Sequence, residues 1–83
     1  MSAAKFDIAY SAAAQLASLA PAEKSALRRL FASGEIENPA TTRPTDDGRF
    51  VSRLGSKRVL WRRLSADGMP EILSIIDKSF FRA

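Results

Sequence analysis

Arginine and lysine side chains are concentrated in the second part of this chain. Residues 49–83 contain eight Lys and Arg against three Asp and Glu, a net charge of +5, whereas residues 1–48 contain five against six, a net charge of −1. Guanidinium groups suit phosphate because their N–H donors are planar and bidentate. A basic half beside a nearly neutral half indicates a localised polyanion-binding surface, although ordinary solubilising charge would give the same composition.

The spacing of these residues predicts a β-hairpin. Residues 49–54 and 57–64 have the composition of strands, and the Gly-Ser connection at 55–56 fits a two-residue type II′ turn, which takes glycine at its first central position. A turn of this length fixes the register of the two strands. In that register Arg53 lies directly opposite Arg58.

Directly opposed residues point to the same face of a sheet. The predicted members of the face that carries the opposed arginines are Arg49, Val51, Arg53, Arg58, Leu60 and Arg62, whereas Phe50, Leu54, Val59 and Trp61 fall on the other face. Opposed like charges are destabilising, and no acidic residue lies within these two strands. We interpret the basic face as a surface for the phosphates of RNA. Three alternatives stay open: an acidic partner protein, guanidinium groups that simply extend into water, and a one-residue bulge that scatters them.

The residue types that are missing restrict the possible chemistry. The chain has no cysteine and no histidine, which excludes thiolate chemistry and removes the commonest general base and metal ligand. No clustered set of carboxylates is evident, so we expect no metal and no cofactor. No segment approaches the roughly 20 apolar residues of a membrane span, and no signal peptide is evident. We expect one cytoplasmic domain over residues 1–83, with no membrane contact.

The remaining elements follow from local patterns. Residues 5–10 alternate apolar and polar side chains, which predicts a half-buried strand, and Ser11 is a candidate N-cap for a first helix that stops near Leu19. Pro21 suits the first turn of a second helix, and Gly34 suits its end. Residues 35–48, rich in Pro, Thr and Asp, read as a loop.

A last strand is predicted from Pro70 or Glu71 to Asp77, after a turn at 65–68. The predicted order is therefore β-α-α-β-β-β, an α+β domain in which an αα-hairpin packs on a small antiparallel sheet. Trp61 could stack a base, but its phase assigns it to the core, and Tyr10 is assigned to the core or its edge by its phase with Phe6 and Ile8. The carboxylates Glu35, Glu37, Asp46 and Asp47 are interpreted as solvated loop residues.

Three segments resemble the RelE/ParE superfamily of bacterial toxins from type II toxin–antitoxin systems. The segment Arg-Leu-Gly-Ser-Lys-Arg-Val-Leu-Trp-Arg at 53–62 is similar to the family's Arg-Val-Gly-Asp-Tyr-Arg-Val-Leu-Tyr-Arg pattern. Residues 71–78 resemble its final strand, and residues 5–13 resemble its opening strand and helix start. Two positions depart from the pattern: Lys57 replaces a common tyrosine, and Phe80 and Phe81 stand near the usual C-terminal tyrosine or histidine.

The resemblance implies a toxin that inhibits translation and arrests growth. RelE-like members are mRNA interferases that cut mRNA on the ribosome without a metal and are neutralised by a cognate antitoxin. The implied catalytic residues are Arg58, Arg53 and Lys78. The basic residues around them that we predict to bind nucleic acid are Arg49, Arg62, Lys57 and Arg63. ParE-like members poison DNA gyrase without nuclease activity, so gyrase inhibition stays an alternative, as does a non-toxic basic nucleic-acid-binding module.

Overall fold

The computed structural model describes residues 6–63 and 68–80. It contains the strands β1 (Asp7–Ile8), β2 (Thr42–Pro44), β3 (Phe50–Leu54), β4 (Lys57–Arg63) and β5 (Pro70–Asp77), and the helices α1 (Tyr10–Ala17) and α2 (Pro21–Ala32). The five strands form one sheet in the order β1-β5-β4-β3-β2. Both helices pack on one face of this sheet, which we call the inner face, and the predicted α+β class is confirmed.

The sheet differs from the prediction in two respects. The segment interpreted as a loop contains β2, which pairs antiparallel with β3 through Thr42 and Ser52 and through Arg43 and Val51. In addition, β1 runs parallel to β5, so the sheet is mixed rather than wholly antiparallel. Strand β2 ends at Pro44, and an edge strand is where a residue without an N–H donor is tolerated.

The first strand is shorter than predicted, and α1 begins one residue before the predicted cap. Ala9 is the N-cap, and its N–H donates to Ile72 O at 2.8 Å, which holds the chain at β5 until the helix starts. Tyr10 therefore lies in the first turn of α1 instead of continuing the strand alternation. Tyr10 is 98% exposed, so the assignment of this residue to the core or its edge is wrong.

Helix α2 begins and ends where its sequence predicts. Pro21 occupies the first turn, and Glu23 Oε1 accepts from Ala20 N at 3.0 Å, which satisfies one of the free N–H groups at the helix start. Gly34 follows the helix with φ +82°, a conformation that glycine adopts without steric cost. The apolar stripe of the helix is buried through Leu27, Leu30 and Phe31.

The core lies between α1, α2 and the inner face. Trp61 is 1% exposed and packs against Phe31 and Phe50, which confirms its assignment to the core. Beside it the Trp61 indole N–H donates to Ser52 Oγ at 2.8 Å, and Ser52 shares a buried hydrogen bond with Thr42 Oγ1. Buried polar groups need such partners, and this network joins β2, β3 and β4. It thereby fixes the relative positions of the residues on the opposite face.

Both long edges of the sheet are protected. At the β2 edge Thr42 N donates to Asn38 O, and Pro44 has no N–H, so the outward side of this strand presents few donors. Beyond β1, side chains of α1 cover β5, because Ser11 Oγ donates to Leu73 O and Gln15 Oε1 accepts from Ile75 N at 2.8 Å. No helix in the described part of the chain is long and apolar enough to cross a membrane.

Candidate polyanion-binding face

The register predicted for the hairpin is confirmed. Strands β3 and β4 pair antiparallel with Arg53 opposite Arg58 and Leu54 opposite Lys57. Gly55 has φ +59°, as the first central position of a type II′ turn requires. The β3–β4 ladder begins at Phe50 opposite Trp61, so the predicted pairing of Arg49 with Arg62 lies outside the ladder.

The alternation of the strands places the basic residues on the face opposite the helices, which we call the outer face. Its members in the described part of the chain include Arg43, Val51, Arg53, Arg58, Leu60, Arg62, Glu71 and Ile76. The bulge in the sheet lies between β4 and β5, where Leu60 pairs with Ser74 and Trp61 with Ile72. It leaves the β3–β4 ladder intact, so it does not separate the opposed arginines.

At the end of the hairpin far from the turn, every arginine has a carboxylate partner. Arg62 Nε donates to Glu71 Oε1 at 3.0 Å across the outer face. Arg49 contacts Asp47 at 3.2 Å, and Arg63 pairs with Glu37 while its guanidinium carbon lies 5.4 Å from the Trp61 ring centroid. The hydroxyl of Thr45 and the charge of Arg49 hold the pKa of the Asp47 carboxyl below its ordinary value. We call this region the paired end.

At the turn, the two opposed arginines have no such partner. Arg53 Nη2 donates to Ala40 O at 2.7 Å, and Arg58 Nη1 donates to Gly55 O at 3.2 Å and Lys57 O at 2.9 Å. Neutral carbonyls orient these guanidinium groups but do not cancel their charge. Within residues 6–63 and 68–80, no Asp or Glu lies within ion-pair distance of Arg53 or Arg58.

Lys78 comes to the same end of the sheet. It begins a short 3₁₀ helix directly after β5, and its backbone N–H donates to Ser56 O at 2.9 Å. This bond ties the segment after β5 to the β3–β4 turn and brings together the three residues predicted to be catalytic. We call Arg53, Arg58 and Lys78 the turn-end cluster.

Two of the residues predicted to bind nucleic acid do not lie on the outer face. Lys57 and Arg63 share the alternation of Val59 and Trp61, so they project on the inner-face side of β4 at its two ends. Lys57 is opposite Asp77. Hydrogen bonds from Ser79 hold the pKa of the Asp77 carboxyl below its ordinary value, and the charges of Lys57 and Lys78 act in the same direction. Because Asp77 lies opposite Lys57, its carboxylate is on the inner-face side of the sheet at the turn end.

The sequence did not predict one basic residue of the outer face or the backbone carbonyl that accepts a hydrogen bond from Arg53. Arg43, which is exposed, pairs with Val51 and so lies diagonally next to Arg53. The carbonyl of Ala40 is the acceptor that orients Arg53. Both lie in the segment read as a loop. The β-branched pair Thr41-Thr42 before Arg43 is the local signal that favours a strand there.

The arrangement can bind and stabilise negative charge, but it presents few groups for proton transfer. The chain has no histidine, and its single tyrosine, Tyr10, starts α1 beside β5, away from the β3–β4 turn. The described residues contain no cluster of three or more His, Cys, Asp or Glu that could hold a metal. The opposed guanidinium groups are thus the principal chemical feature of this face.

Comparison with solved structures identifies the fold. The chain is similar to a chain of the RelBE2 toxin–antitoxin complex from Mycobacterium tuberculosis, with a TM-score of 0.66 and 23% sequence identity over 87% of this chain and 94% of that chain. The fold expected from the hairpin and final-strand segments is therefore confirmed. No protein-family model matches the sequence, and no curated protein matches it significantly.

Proposed function

We propose that this chain is the toxin of a type II toxin–antitoxin system and acts as a ribosome-dependent mRNA endonuclease that inhibits translation. The observation that carries the proposal is the pair of opposed arginines, Arg53 and Arg58, on an open sheet face where no carboxylate of residues 6–63 and 68–80 pairs with them. Opposed like charges cost stability, and an RNA phosphate placed between them would remove that cost. The neighbouring structure, a toxin–antitoxin complex, supports the toxin role and an antitoxin partner.

In this proposal the 2′-hydroxyl of one nucleotide loses its proton and attacks the adjacent phosphorus while the bond to the 5′-oxygen breaks. The departing 5′-oxygen gains a proton, and no metal takes part. Arg58 and Arg53 stabilise the charge that develops on the non-bridging oxygens, an effect worth several kcal/mol where donors are held in position. The carbonyls of Gly55 and Ala40 hold these donors in place beforehand. Lys78 adds a third positive charge beside them. The other residues predicted to bind nucleic acid, Arg49, Lys57, Arg62 and Arg63, lie outside this cluster, and because carboxylates compensate Arg49, Arg62 and Arg63 we assign these three no essential part in RNA binding or cleavage.

One observation favours a second candidate, a ParE-like inhibitor of DNA gyrase without nuclease activity. The described residues place neither histidine nor tyrosine beside the turn-end cluster, so a general acid and base would have to come from lysine, from the RNA or from the ribosome. A gyrase inhibitor needs no such groups. The same basic face would then bind an acidic surface or DNA.

The test is controlled expression in bacteria with transcript 5′ ends mapped shortly after induction. The variants are wild type, Arg58→Ala and Arg62→Ala, which remove the same side chain from the turn-end cluster and from the paired end. We expect new cuts at codon positions in wild type and Arg62→Ala, and none in Arg58→Ala at equal protein level. Cutting by Arg58→Ala at the wild-type rate would contradict the proposal. Growth arrest without cuts, together with trapped gyrase–DNA complexes, would favour the second candidate.

A further inference from the structure

Two apolar residues lie in the middle of the outer face, among its arginines. Val51 of β3 pairs directly with Leu60 of β4, so their side chains are neighbours on this face, and both are partly exposed. The hydrophobic core of the described residues and its immediate neighbours take Phe50, Val59 and Trp61 from these two strands, all from the inner face. We call Val51 and Leu60 the apolar pair, and it lies apart from that core.

The binding of negative charge alone gives no reason for the apolar pair. A sheet face that is open to water normally carries polar side chains, and threonine would suit these strand positions as well as valine. A bare phosphate chain offers these side chains no apolar surface to cover. A nucleotide combines both kinds of surface, because its phosphate is charged and its base has an apolar face.

The apolar pair lies directly beside the opposed arginines. Val51 precedes Arg53 by two residues on β3, and Leu60 follows Arg58 by two residues on β4, which places the two rows about 6.7 Å apart. On the other side of the arginines the β3–β4 turn ends the sheet at Gly55. A base attached to a phosphate held by the arginines therefore meets the sheet surface at the apolar pair.

An ion pair closes the far side of this surface. The next outer-face residue of β4 after Leu60 is Arg62, whose Nε donates to Glu71 Oε1 at 3.0 Å. This pair lies across β4 and β5, and its charges compensate each other, so it offers little attraction to a second phosphate. The apolar surface is thus one residue pair wide along these strands, which is room for a single base.

We propose that the apolar pair is the platform for one unpaired nucleobase next to the scissile phosphate. The inference rests on the proposed function for the identity of the polyanion as RNA, and it deepens that function by naming the form of the RNA. Single-stranded RNA can turn a base onto a protein surface, whereas the bases of an A-form duplex are paired and stacked. Contact with the face of a base is tolerant of sequence, since every base has such a face.

The test compares the affinity of the full chain for three ligands with equal numbers of phosphates. These are a short single-stranded RNA, a strand in which stable abasic sugars replace the nucleosides, and an RNA duplex. We expect wild type to bind the single strand about fivefold or more tightly than the abasic strand, because only the former buries a base on the apolar pair. This comparison needs no variant and so does not depend on the stability of one.

The double variant Val51→Thr with Leu60→Thr keeps the charge and the strand propensity of the face. We expect it to lose the preference for the single strand while its affinities for the abasic strand and the duplex stay within about twofold of wild type. Met69→Thr is the matched control, since it removes an exposed apolar side chain outside β3 and β4 and should keep the preference. Thermal unfolding of each variant checks that the fold is retained.

The variant Leu60→Tyr gives a readout in the opposite direction. An aromatic ring at this position should raise the affinity for the single strand and leave that for the abasic strand unchanged. Equal affinities of wild type for the single strand and the abasic strand, or equal losses of both in the double variant, would overturn the platform. Cuts in transcripts that are lost in Arg58→Ala would still support the toxin proposal. If wild type binds none of the three ligands, the platform is overturned and the transcript mapping alone decides the toxin proposal.

Discussion

The two ends of the β3–β4 hairpin contain the same residue type in different electrostatic settings. At the paired end Arg62, Arg49 and Arg63 each contact a carboxylate, whereas at the turn Arg53 and Arg58 face each other and donate to neutral carbonyls. Both ends belong to one small sheet and are a few residues apart. The number of arginines is therefore the same kind of feature at both ends and does not distinguish them. We propose that the site lies at the turn, where positive charge is oriented but left uncompensated within the described residues.

The largest expected effect comes from placing a carboxylate opposite an arginine at the turn, since the arginines of the paired end already have carboxylate partners. Ile76 lies opposite Arg58 on the outer face, as Glu71 lies opposite Arg62. The variant Ile76→Glu keeps every arginine but should pair Arg58, so we expect RNA binding to weaken on the order of tenfold at moderate salt. The variant Ile76→Gln is the control for shape and polarity. Equal RNA affinities of Ile76→Glu and Ile76→Gln would contradict the claim that the uncompensated charge of Arg58 drives RNA binding.

We expect a smaller effect on stability, and its sign should differ between the turn end and the paired end. Replacing Arg58 by Gln removes a like-charge opposition and should raise the free energy of unfolding at low salt, on the order of 0.5 kcal/mol. Replacing Arg62 by Gln removes the ion pair with Glu71 and should lower it by a similar order. Both changes should shrink at about 1 M salt because the charges are screened. Urea titrations at two ionic strengths measure these free energies of unfolding. A lower free energy of unfolding for Arg58→Gln than for wild type at low salt would contradict a destabilising repulsion between Arg53 and Arg58.

The smallest expected effect concerns the carboxylate on the inner side of the turn. The pKa of Asp77 is lowered in the folded chain, chiefly by hydrogen bonds from Ser79, so its ionised form stabilises the fold above the unfolded value of about 3.9 and stops doing so as the pH falls through the lower folded value. Asp77→Asn should therefore be less stable than wild type at pH 7, and the two stabilities should converge as the pH falls through the lowered pKa of the folded chain. A stability difference that grows on acidification would contradict this assignment.

Sequence reasoning identified the turn-end cluster because its determinants are local. The two-residue turn at Gly55 fixes which residues oppose each other, and strand alternation fixes their face. The partners of the other arginines are remote: Glu71 comes from β5, and Glu37 lies 26 residues before Arg63. No local pattern indicates which carboxylate will reach which guanidinium. The sequence therefore predicted one uniformly basic face. In the structure, the arginines at one end of this face have carboxylate partners, and those at the turn have none among the described residues.

The two errors in the secondary structure have the same origin. Strand β2 has three residues and exists through its pairing with β3, which a composition rich in Pro and Thr does not reveal. The start of α1 depends on the bond from Ala9 N to Ile72 O, and this long-range contact moves Tyr10 out of the strand phase. In contrast, α2 carries its own start and stop signals in Pro21 and Gly34, and both were read correctly from the sequence.

The most direct test of the central claim is the salt dependence of binding to a short single-stranded RNA by two double variants of equal net charge. One is Arg53→Gln with Arg58→Gln, and the other is Arg62→Gln with Arg63→Gln. The slope of log affinity against log salt falls by about 0.7 for each phosphate that the protein no longer neutralises. We expect the slope of the turn-end variant to fall by about 1.4 and its affinity to drop steeply, whereas the slope and affinity of the paired-end variant should change little. Equal decreases in the two variants would show that the face binds RNA by total charge and would contradict the account.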